Sequence, residues 1–559
     1  MTMTIAAAVP RIEAAGALKL VLSPLDLTLI VIYFAFVIGI GFALRRLITT
    51  STDFFLSGRS LPAWITGIAF ISANLGAIEI LGMSASGAQY GISIVHYYWI
   101  GAVPAMVFLG VVMMPFYYGS RVRSVPEYLL RRYDRKTHLV NAIIFVLASV
   151  LIAGVNLYAL SAVLEALLGI PLAVAIVVSA LFVLSYILLG GLSSAIYNEV
   201  MQFFVIVAGL VPVVIVALKE TGGIGGLFAK LSTNGHDFTS AWAGVGLGGH
   251  NPIGDWISLV FGLSFCLSFG YWTTNFSEVQ RAMSAKDDNS ARLTPIIGAY
   301  PKALIPLGIV IPGMAAVLLI PGLGEGPLPF NDAIPALMNK YLPAGVLGVA
   351  ITGLLAAFMA GMAANVSSFN AVWTYDIWQD YIRPGRPDSY YLRVGRFTTV
   401  AGVLIGILTA FIAAGYSNIG AYLQTLFSFF NVPIFLAFIV GMVWRKAGRG
   451  SGFWGMIVGT LVSFGTWLLY KQGVLSFRSD LAETQWGAII GFSAGLVAML
   501  IATAFGTPKS LAELKGLVLG LQERDVQTTA RVPWFKSPVL VGAGALVLCA
   551  LLYVYIAVV

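Results

Sequence analysis

Two charged side chains of opposite sign lie inside long apolar stretches of this 559-residue chain. Glu79 is surrounded by small and apolar residues, and Lys302 lies between Pro301 and Pro306 in another apolar run. An ionised side chain at the bilayer centre costs on the order of 2.5–3.5 kcal/mol on insertion scales, so such residues are functional candidates. We expect Glu79 to carry a proton, to bind a cationic group of a ligand or to pair with Lys302. The alternative is a structural carboxylate that accepts hydrogen bonds from nearby backbone amides.

The composition is that of a membrane protein. Hydrophobic residues make up 59% of the chain and charged residues only 10%, and the mean hydropathy is +0.90. A soluble domain has about 25% charged residues, so too few charges are present to cover soluble surfaces. The 61 glycines suit close packing of helices in lipid. We therefore predict an all-α polytopic membrane protein.

About fourteen apolar segments are long enough to cross the hydrocarbon core, which takes about 20 residues per helix. The predicted transmembrane segments are 26–44, 62–91, 94–117, 138–168, 172–189, 195–217, 255–276, 291–319, 344–374, 394–415, 419–443, 452–470, 486–505 and 537–557.

Lysine and arginine are concentrated in one of the two alternating sets of loops, which the positive-inside rule assigns to the cytoplasm. Both termini are then extracellular in the plasma membrane, with an N-terminal arm at 1–25, an extracellular loop at 218–254 and a cytoplasmic linker at 506–536. The net charge of +8 therefore lies mainly beside anionic lipid. Membrane lipid is the expected partner, and nucleic acid is not.

Two of the predicted spans contain clusters of small and polar residues that interrupt helices. These clusters run from Ser72 to Gly87 and from Gly262 to Asn275. Interrupted spans at matching positions in two halves indicate a transporter site at the bilayer midplane. The spacing predicts inverted repeats of five helices each at 62–217 and 255–443, with an extra helix and loop at 26–61 and three more helices in 444–559. The alternative is that these small residues only allow close helix packing.

Several stretches resemble the sodium–solute symporter family, most closely its sugar-transporting branch. They are FFLSGRSLPAW (54–64), SANLGAIEILGMSASG (72–87), SVPEYLLRRY (124–133), GGLSSAIYNEVMQ (190–202), YWTTNFSEVQRAMSAK (271–286), PKALIPLGIVIPG (301–313) and TYDIWQDYI (374–382). The resemblance implies a leucine-transporter-like fold of two inverted five-helix repeats. It also implies a midplane binding site and sodium-coupled uptake of a small solute.

The resemblance also implies a cation site between the first broken helix and the eighth helix of the repeats. The corresponding positions here are Ser72, Leu75, Ala357, Ala360 and Gly361. At the last two of these positions the sugar branch has hydroxyl side chains, and this chain has none. Because hard cations prefer oxygen ligands, the site is degenerate. The family usually has threonine and aspartate at the positions of Asn198 and Glu199. Glu199 therefore keeps a carboxylate on the cation exit path that the resemblance implies.

Substrate-binding positions are implied by the same resemblance. Lys302 and Gln424 match sugar-contacting residues, and Tyr271 matches an inner-gate tyrosine with Trp272 beside it. Aromatic faces of this kind stack on sugar rings. Tyr98 and Ser268 stand where an acidic residue and an asparagine are expected, and Glu79 replaces an amide. The polar side chains that could bind sugar hydroxyl groups are therefore fewer than in a hexose transporter.

These observations predict a cation-coupled symporter that imports a small polar solute, such as a sugar or a related organic solute, by alternating access. Sodium is slightly favoured as the coupling ion over a proton carried by Glu79, and no other cofactor is expected. A uniporter or a non-transporting solute sensor remains the alternative. An enzyme is not expected, because motifs for nucleotide binding, metal binding or nucleophilic catalysis are absent from the sequence.

Overall fold

The computed structural model describes residues 22–44, 50–120, 122–232, 238–325, 328–415, 419–521 and 533–558. Most of this part of the chain is helical, and it contains no β-strand. The α-helices are α1 (Pro24–Leu44), α2 (Ser51–Leu56), α3 (Ala63–Asn74), α4 (Met83–Tyr90), α5 (Val103–Phe108), α6 (Met114–Gly119), α7 (Val125–Arg132), α8 (Arg135–Leu168), α9 (Leu172–Thr221), α10 (Gly223–Leu231), α11 (Phe269–Thr274), α12 (Phe276–Met283), α13 (Asp288–Leu319), α14 (Ala333–Tyr341), α15 (Val346–Val372), α16 (Asp388–Ala413), α17 (Ile419–Val443), α18 (Ser451–Lys471), α19 (Asp480–Phe505) and α20 (Pro538–Val558).

Wider π-helical turns join several of these helices into longer rods. They occupy Ile78–Gly82, Tyr97–Ala102, Leu109–Met113, Ser258–Ser268 and Trp373–Ile382. π-Turns inside α-helices are frequent at functional sites. Here two of them, Ile78–Gly82 and Ser258–Ser268, lie in the spans predicted to be interrupted.

Eleven helices are long and apolar enough to cross a membrane in the part of the chain described, or twelve when one bent pair counts as a span. The chain is thus a multi-pass membrane protein. Two of the predicted segments, 172–189 and 255–276, are not counted among these twelve. The first is the short apolar half of α9, whose 50 residues turn at Gly191 with φ 52°. A count of fourteen spans stays a prediction.

The first predicted interruption is a real bend in the chain. Helix α3 ends at Asn74, the chain resumes as a helix at Ile78, and the two pieces meet at 56°. Between them the amide of Gly76 donates to the carbonyl of Asn74 at 2.8 Å, and the missing side chain of Gly76 leaves room for the carboxamide of Asn156. Peptide groups in this turn leave the helical hydrogen-bond ladder and need other partners.

The second interruption lies at the end of the predicted cluster Gly262–Asn275. Residues 258–274 are wound without a gap, first as a π-helix and then as α11. The break falls at Asn275, where ψ is 111° and the side chain accepts a hydrogen bond from the amide of Ser277 at 3.0 Å. Of the predicted cluster Gly262–Asn275, only the last residue interrupts the helix, because the wider winding accommodates the polar residues before it. Asn275 ends one helix and caps α12.

Several helices pack around the region of the first bend. Helix α13 packs along α3 and α4, and α15 packs along α8 and α9 as well as α3. Of the predicted peripheral segments, residues 1–21 of the N-terminal arm and residues 522–532 of the linker lie outside the described residues. The arrangement places the turn at 75–77 in the protein interior, with Lys302 of α13 on one side and Gly361 of α15 on the other.

Candidate functional site

A small cavity of about 50 Å³ lies beside the bend of the first broken helix. It is bordered by Asn74, Ile78, Glu79, Met83, Tyr97, Tyr98, Ala102, Leu267, Ser268, Tyr271, Trp272, Lys302, Gln424 and Phe427. Every residue in the predicted substrate-binding set belongs to this lining: Glu79, Tyr98, Ser268, Tyr271, Trp272, Lys302 and Gln424. Pockets for small molecules are commonly about 300–1,000 Å³. The cavity is therefore contracted, and the side chains must separate to admit a solute.

An ion pair occupies the centre of the cavity wall. The Nζ atom of Lys302 donates to Oε1 of Glu79 at 2.7 Å and to Oδ1 of Asn74 at 2.7 Å. The Lys302 and Glu79 side chains are only 4% and 7% exposed. A buried pair of this kind is stable only when its remaining polar atoms are satisfied. Asn74, the last residue of α3, supplies one of those contacts.

Aromatic rings flank the ammonium group of Lys302. Its Nζ atom lies 4.8 Å from the ring centre of Tyr98 and 5.1 Å from that of Trp272. Both distances are within cation–π range. Trp272 in turn stacks on Phe70 of α3 with 5.7 Å between ring centres. The site therefore offers flat apolar faces beside charged and amide groups, a combination that suits a solute with both carbon–hydrogen and hydroxyl surfaces.

Tyr271 closes one end of the cavity. Its ring packs against Phe427 with 4.5 Å between centres. Its hydroxyl accepts a hydrogen bond from Nδ2 of Asn74 at 3.1 Å and donates to Oε1 of Glu278 at 2.9 Å. Tyr271 thus separates the cavity from a second buried charged region on α12. The gate role that the resemblance implies for this residue stays a prediction.

Of the predicted cation-binding positions, Gly361 lies against the bend, and a side chain from another helix fills the space beside it. A Cβ atom on Gly76 would lie 3.5 Å from the Cα atom of Gly361, so the broken helix and α15 are in close contact there. The carboxamide of Asn156, from α8, is inserted at this point, and a Cβ atom on Gly361 would lie 3.0 Å from its Nδ2 atom. Its Oδ1 atom accepts a hydrogen bond from the amide of Ala77 at 2.9 Å.

One of the other predicted cation ligands, the carbonyl of Ser72, already has a hydrogen-bond donor, and the roles implied for the carbonyls of Leu75 and Ala357 stay predictions. The carbonyl of Ser72 accepts a hydrogen bond from the amide of Leu75 at 3.1 Å. Ala357 and Ala360 are fully buried and bring no side-chain oxygen. Asn156, which the sequence analysis missed, lies beside Gly361, one of the two positions where the resemblance implies a hydroxyl side chain. A signal for it is its position in the apolar stretch 138–168, where Asn141 and Asn156 are the two amide side chains.

Glu199, predicted on a cation exit path, is paired with Arg281. The guanidinium of Arg281 donates to both carboxylate oxygens, with 3.1 Å from Nε to Oε2, and both side chains are fully buried. Arg281 also donates to the carbonyl of Ser277 at 2.6 Å. The sequence analysis missed Arg281 and Glu278, although charged residues directly after an apolar run were a visible signal.

The chain is similar to known proteins over most of its length. The model of the sodium:solute symporter family matches residues 54–459. The chain is 29% identical over 485 residues to the sodium/glucose cotransporter of Vibrio parahaemolyticus, covering 83% of this chain and 88% of that protein. It is 27% identical over 474 residues to the sodium/myo-inositol cotransporter 2 of Oryctolagus cuniculus, covering 79% and 70% of the two chains.

A solved structure shares the fold. It is a sodium-coupled sialic acid symporter in a substrate-bound, outward-open state, with a TM-score of 0.73 and 20% identity. The similarity covers 87% of this chain and 99% of that one. At this level of identity the similarity is evidence for the fold alone.

Proposed function

We propose that this chain, which belongs to the sodium:solute symporter family, imports a small polar solute across the plasma membrane together with a cation. The observation that carries the proposal is the cavity at the bend of the first broken helix, with a buried ion pair between two aromatic faces. Hydroxyl groups of a solute would accept from Lys302 and donate to Glu79. The aromatic rings of Trp272 and Tyr98 would cover its carbon–hydrogen faces.

We further propose that transport follows alternating access, with two inverted repeats at 62–217 and 255–443 that move around the bend. The contracted cavity supports this mechanism, because about 50 Å³ leaves no room for a monosaccharide until the walls separate. Relatives named for glucose and myo-inositol make a monosaccharide or cyclic polyol the first solute class to test. Cytoplasmic loops rich in lysine and arginine, extracellular termini and contacts with anionic lipid belong to the same proposal.

Sodium is the favoured coupling ion, on the basis of family membership. A proton is the second candidate, and one observation favours it. The Asn156 carboxamide fills the space beside Gly361 that the resemblance assigns to the cation. Sodium coupling therefore needs a different set of oxygen ligands in this chain.

Purified protein in proteoliposomes tests the proposal with labelled D-glucose and labelled myo-inositol. We expect uptake above the equilibrium level when an inward sodium gradient or an inward proton gradient is imposed. Comparing the two gradients one at a time identifies the ion. Binding of either solute without accumulation under both gradients would contradict the transport function and favour a sensor.

A further inference from the structure

Glu278 on α12 is a buried carboxylate that has no basic partner. It is 1% exposed. Its Oε1 atom accepts the hydrogen bond from Tyr271, and its Oε2 atom has no hydrogen-bond partner among the residues that the structure describes. No ion pair joins Glu278 to any lysine, arginine or histidine in the same part of the chain. An uncompensated buried charge is costly and favours the neutral form of the group.

The basic groups nearest to Glu278 are already used by other carboxylates. Lys302 pairs with Glu79, and Arg281 pairs with Glu199 through both oxygens. The charged groups that act on Glu278 are Arg281, Glu199 and Lys302, and the neutral Tyr271 donates a hydrogen bond to it. Together with Glu79, the buried network holds three carboxylates against two cations. One proton or one bound cation is needed to make it neutral.

Hydrogen bonds connect Glu278 to the solute cavity. Lys302 donates to Oδ1 of Asn74 at 2.7 Å, and Nδ2 of Asn74 donates to the hydroxyl of Tyr271 at 3.1 Å. Tyr271 then donates to Glu278 at 2.9 Å. Every donor in this series points toward the carboxylate. A change of charge at Glu278 therefore changes the hydrogen bonding of Lys302, where the solute would bind.

We propose that the carboxyl group of Glu278 binds and releases a proton during the transport cycle, an inference that rests on the proposed transport function. The proton is taken from water on one side of the membrane, binds at Oε2 and returns to water on the other side, and no other bond forms or breaks. Glu79 is less suited to this role, since a proton there would break the ion pair with Lys302.

A proton suits this site better than a metal ion. Hard cations need several oxygen ligands arranged around them. Within hydrogen-bond distance, Glu278 has one oxygen contact among the described residues, the hydroxyl of Tyr271. The neighbouring Ser277 hydroxyl is directed instead to Ser368 at 2.6 Å and to Asn365 at 3.3 Å. A single carboxylate oxygen without a partner is enough for a proton.

Infrared spectroscopy of the purified full-length protein tests the inference without knowledge of the solute. At about pH 7, where a free glutamate is ionised, we expect a carboxylic-acid C=O band that Glu278→Gln removes. The exposed Glu220→Gln variant is the matched control and should keep the band. A second variant, Tyr271→Phe, removes the hydrogen bond to Oε1 and should shift the band to higher frequency. Identical acid bands in wild type and Glu278→Gln would overturn the inference.

Uptake separates this inference from the proposed function. With D-glucose and myo-inositol as probes, the uptake rate should depend on pH in wild type and Glu220→Gln and lose that dependence in Glu278→Gln. An unchanged pH dependence in Glu278→Gln would overturn the proton site and leave the transporter proposal standing. Uptake of neither probe under either gradient would count against the proposed function, while the infrared result decides on Glu278 by itself.

Discussion

The Nζ atom of Lys302 lies 2.7 Å from Oε1 of Glu79, and the pair joins α13 to the bend of the first broken helix. Neither residue has another fully charged partner within ion-pair distance in the described part of the chain. The contact links a helix that is continuous from Asp288 to Leu319 with one that is bent by 56°. A solute that separates these two groups would therefore loosen the bend at the same time.

Neutralising one member of the Glu79–Lys302 pair should destabilise the protein more than neutralising both. Removal of one partner from a buried pair costs about 3–5 kcal/mol, because the other charge is left unpaired. We expect Glu79→Gln and Lys302→Gln each to lower the thermal unfolding midpoint in detergent, and the double variant to recover much of the loss. Additive effects in this double-mutant cycle would show that the two groups are not coupled.

Asn156 should contribute to stability through the amide of Ala77. Replacing it with alanine leaves a buried N–H group without its acceptor, which costs about 1–3 kcal/mol. Asn141 is a matched control on α8, because it is 1% exposed and its side-chain amide has no hydrogen-bond partner among the described residues. Thermal unfolding should show a clear loss for Asn156→Ala and a smaller one for Asn141→Ala. The opposite order would contradict the assigned contact.

A side chain at Gly361 should compete with Asn156 for the same space. A Cβ atom there would lie 3.0 Å from Nδ2 of Asn156 and closer still to other atoms of its carboxamide. Gly361→Ser alone is therefore expected to destabilise the protein. Adding Asn156→Ala and Ala360→Ser should relieve the clash and supply two hydroxyl groups. The triple variant should then unfold at a higher temperature in sodium chloride than in choline chloride, and equal midpoints would count against a cation site here.

Asp332 should make stability depend on pH. It lies in the short helix Phe330–Asp332, outside the spans, and burial raises its pKa to about 6. A raised pKa means that the folded protein holds a proton that the unfolded chain loses from about pH 4 upward. The contribution of Asp332 to the free energy of unfolding is therefore fully present below about pH 4 and is lost as the pH rises toward 6. Asp332→Asn should raise the unfolding midpoint at pH 8 and change it little at pH 4; equal shifts at both values would contradict this.

The sequence predicts the apolar helices and the position of the first break, because hydropathy and helix-breaking residues are local properties. It also identifies Glu79 and Lys302 as candidate functional residues, since charged side chains are rare in apolar stretches. The seven predicted substrate-binding residues border one cavity although they come from distant parts of the chain.

Other features depend on packing that no local pattern contains. The insertion of Asn156 beside Gly361 requires contact between α8, α15 and the bend, which are far apart in sequence. The cluster Gly262–Asn275 predicts an interrupted helix but not its position, because a π-helix accommodates the earlier polar residues and the break falls at Asn275. The pairing of Glu199 with Arg281 likewise joins positions 82 residues apart.

The Arg281–Glu199 pair should be far more important for stability than an exposed pair of similar geometry. Both its side chains are fully buried, so Arg281→Met leaves an uncompensated carboxylate and should cost about 3–5 kcal/mol. Arg449 and Glu513 form the matched control, because Arg449 also contacts both carboxylate oxygens but the side chains are 50% and 42% exposed. Arg449→Met should change the unfolding midpoint little, since water solvates the remaining carboxylate. Comparable losses in the two variants would mean that Arg281 acts through packing of its side chain rather than through its charge.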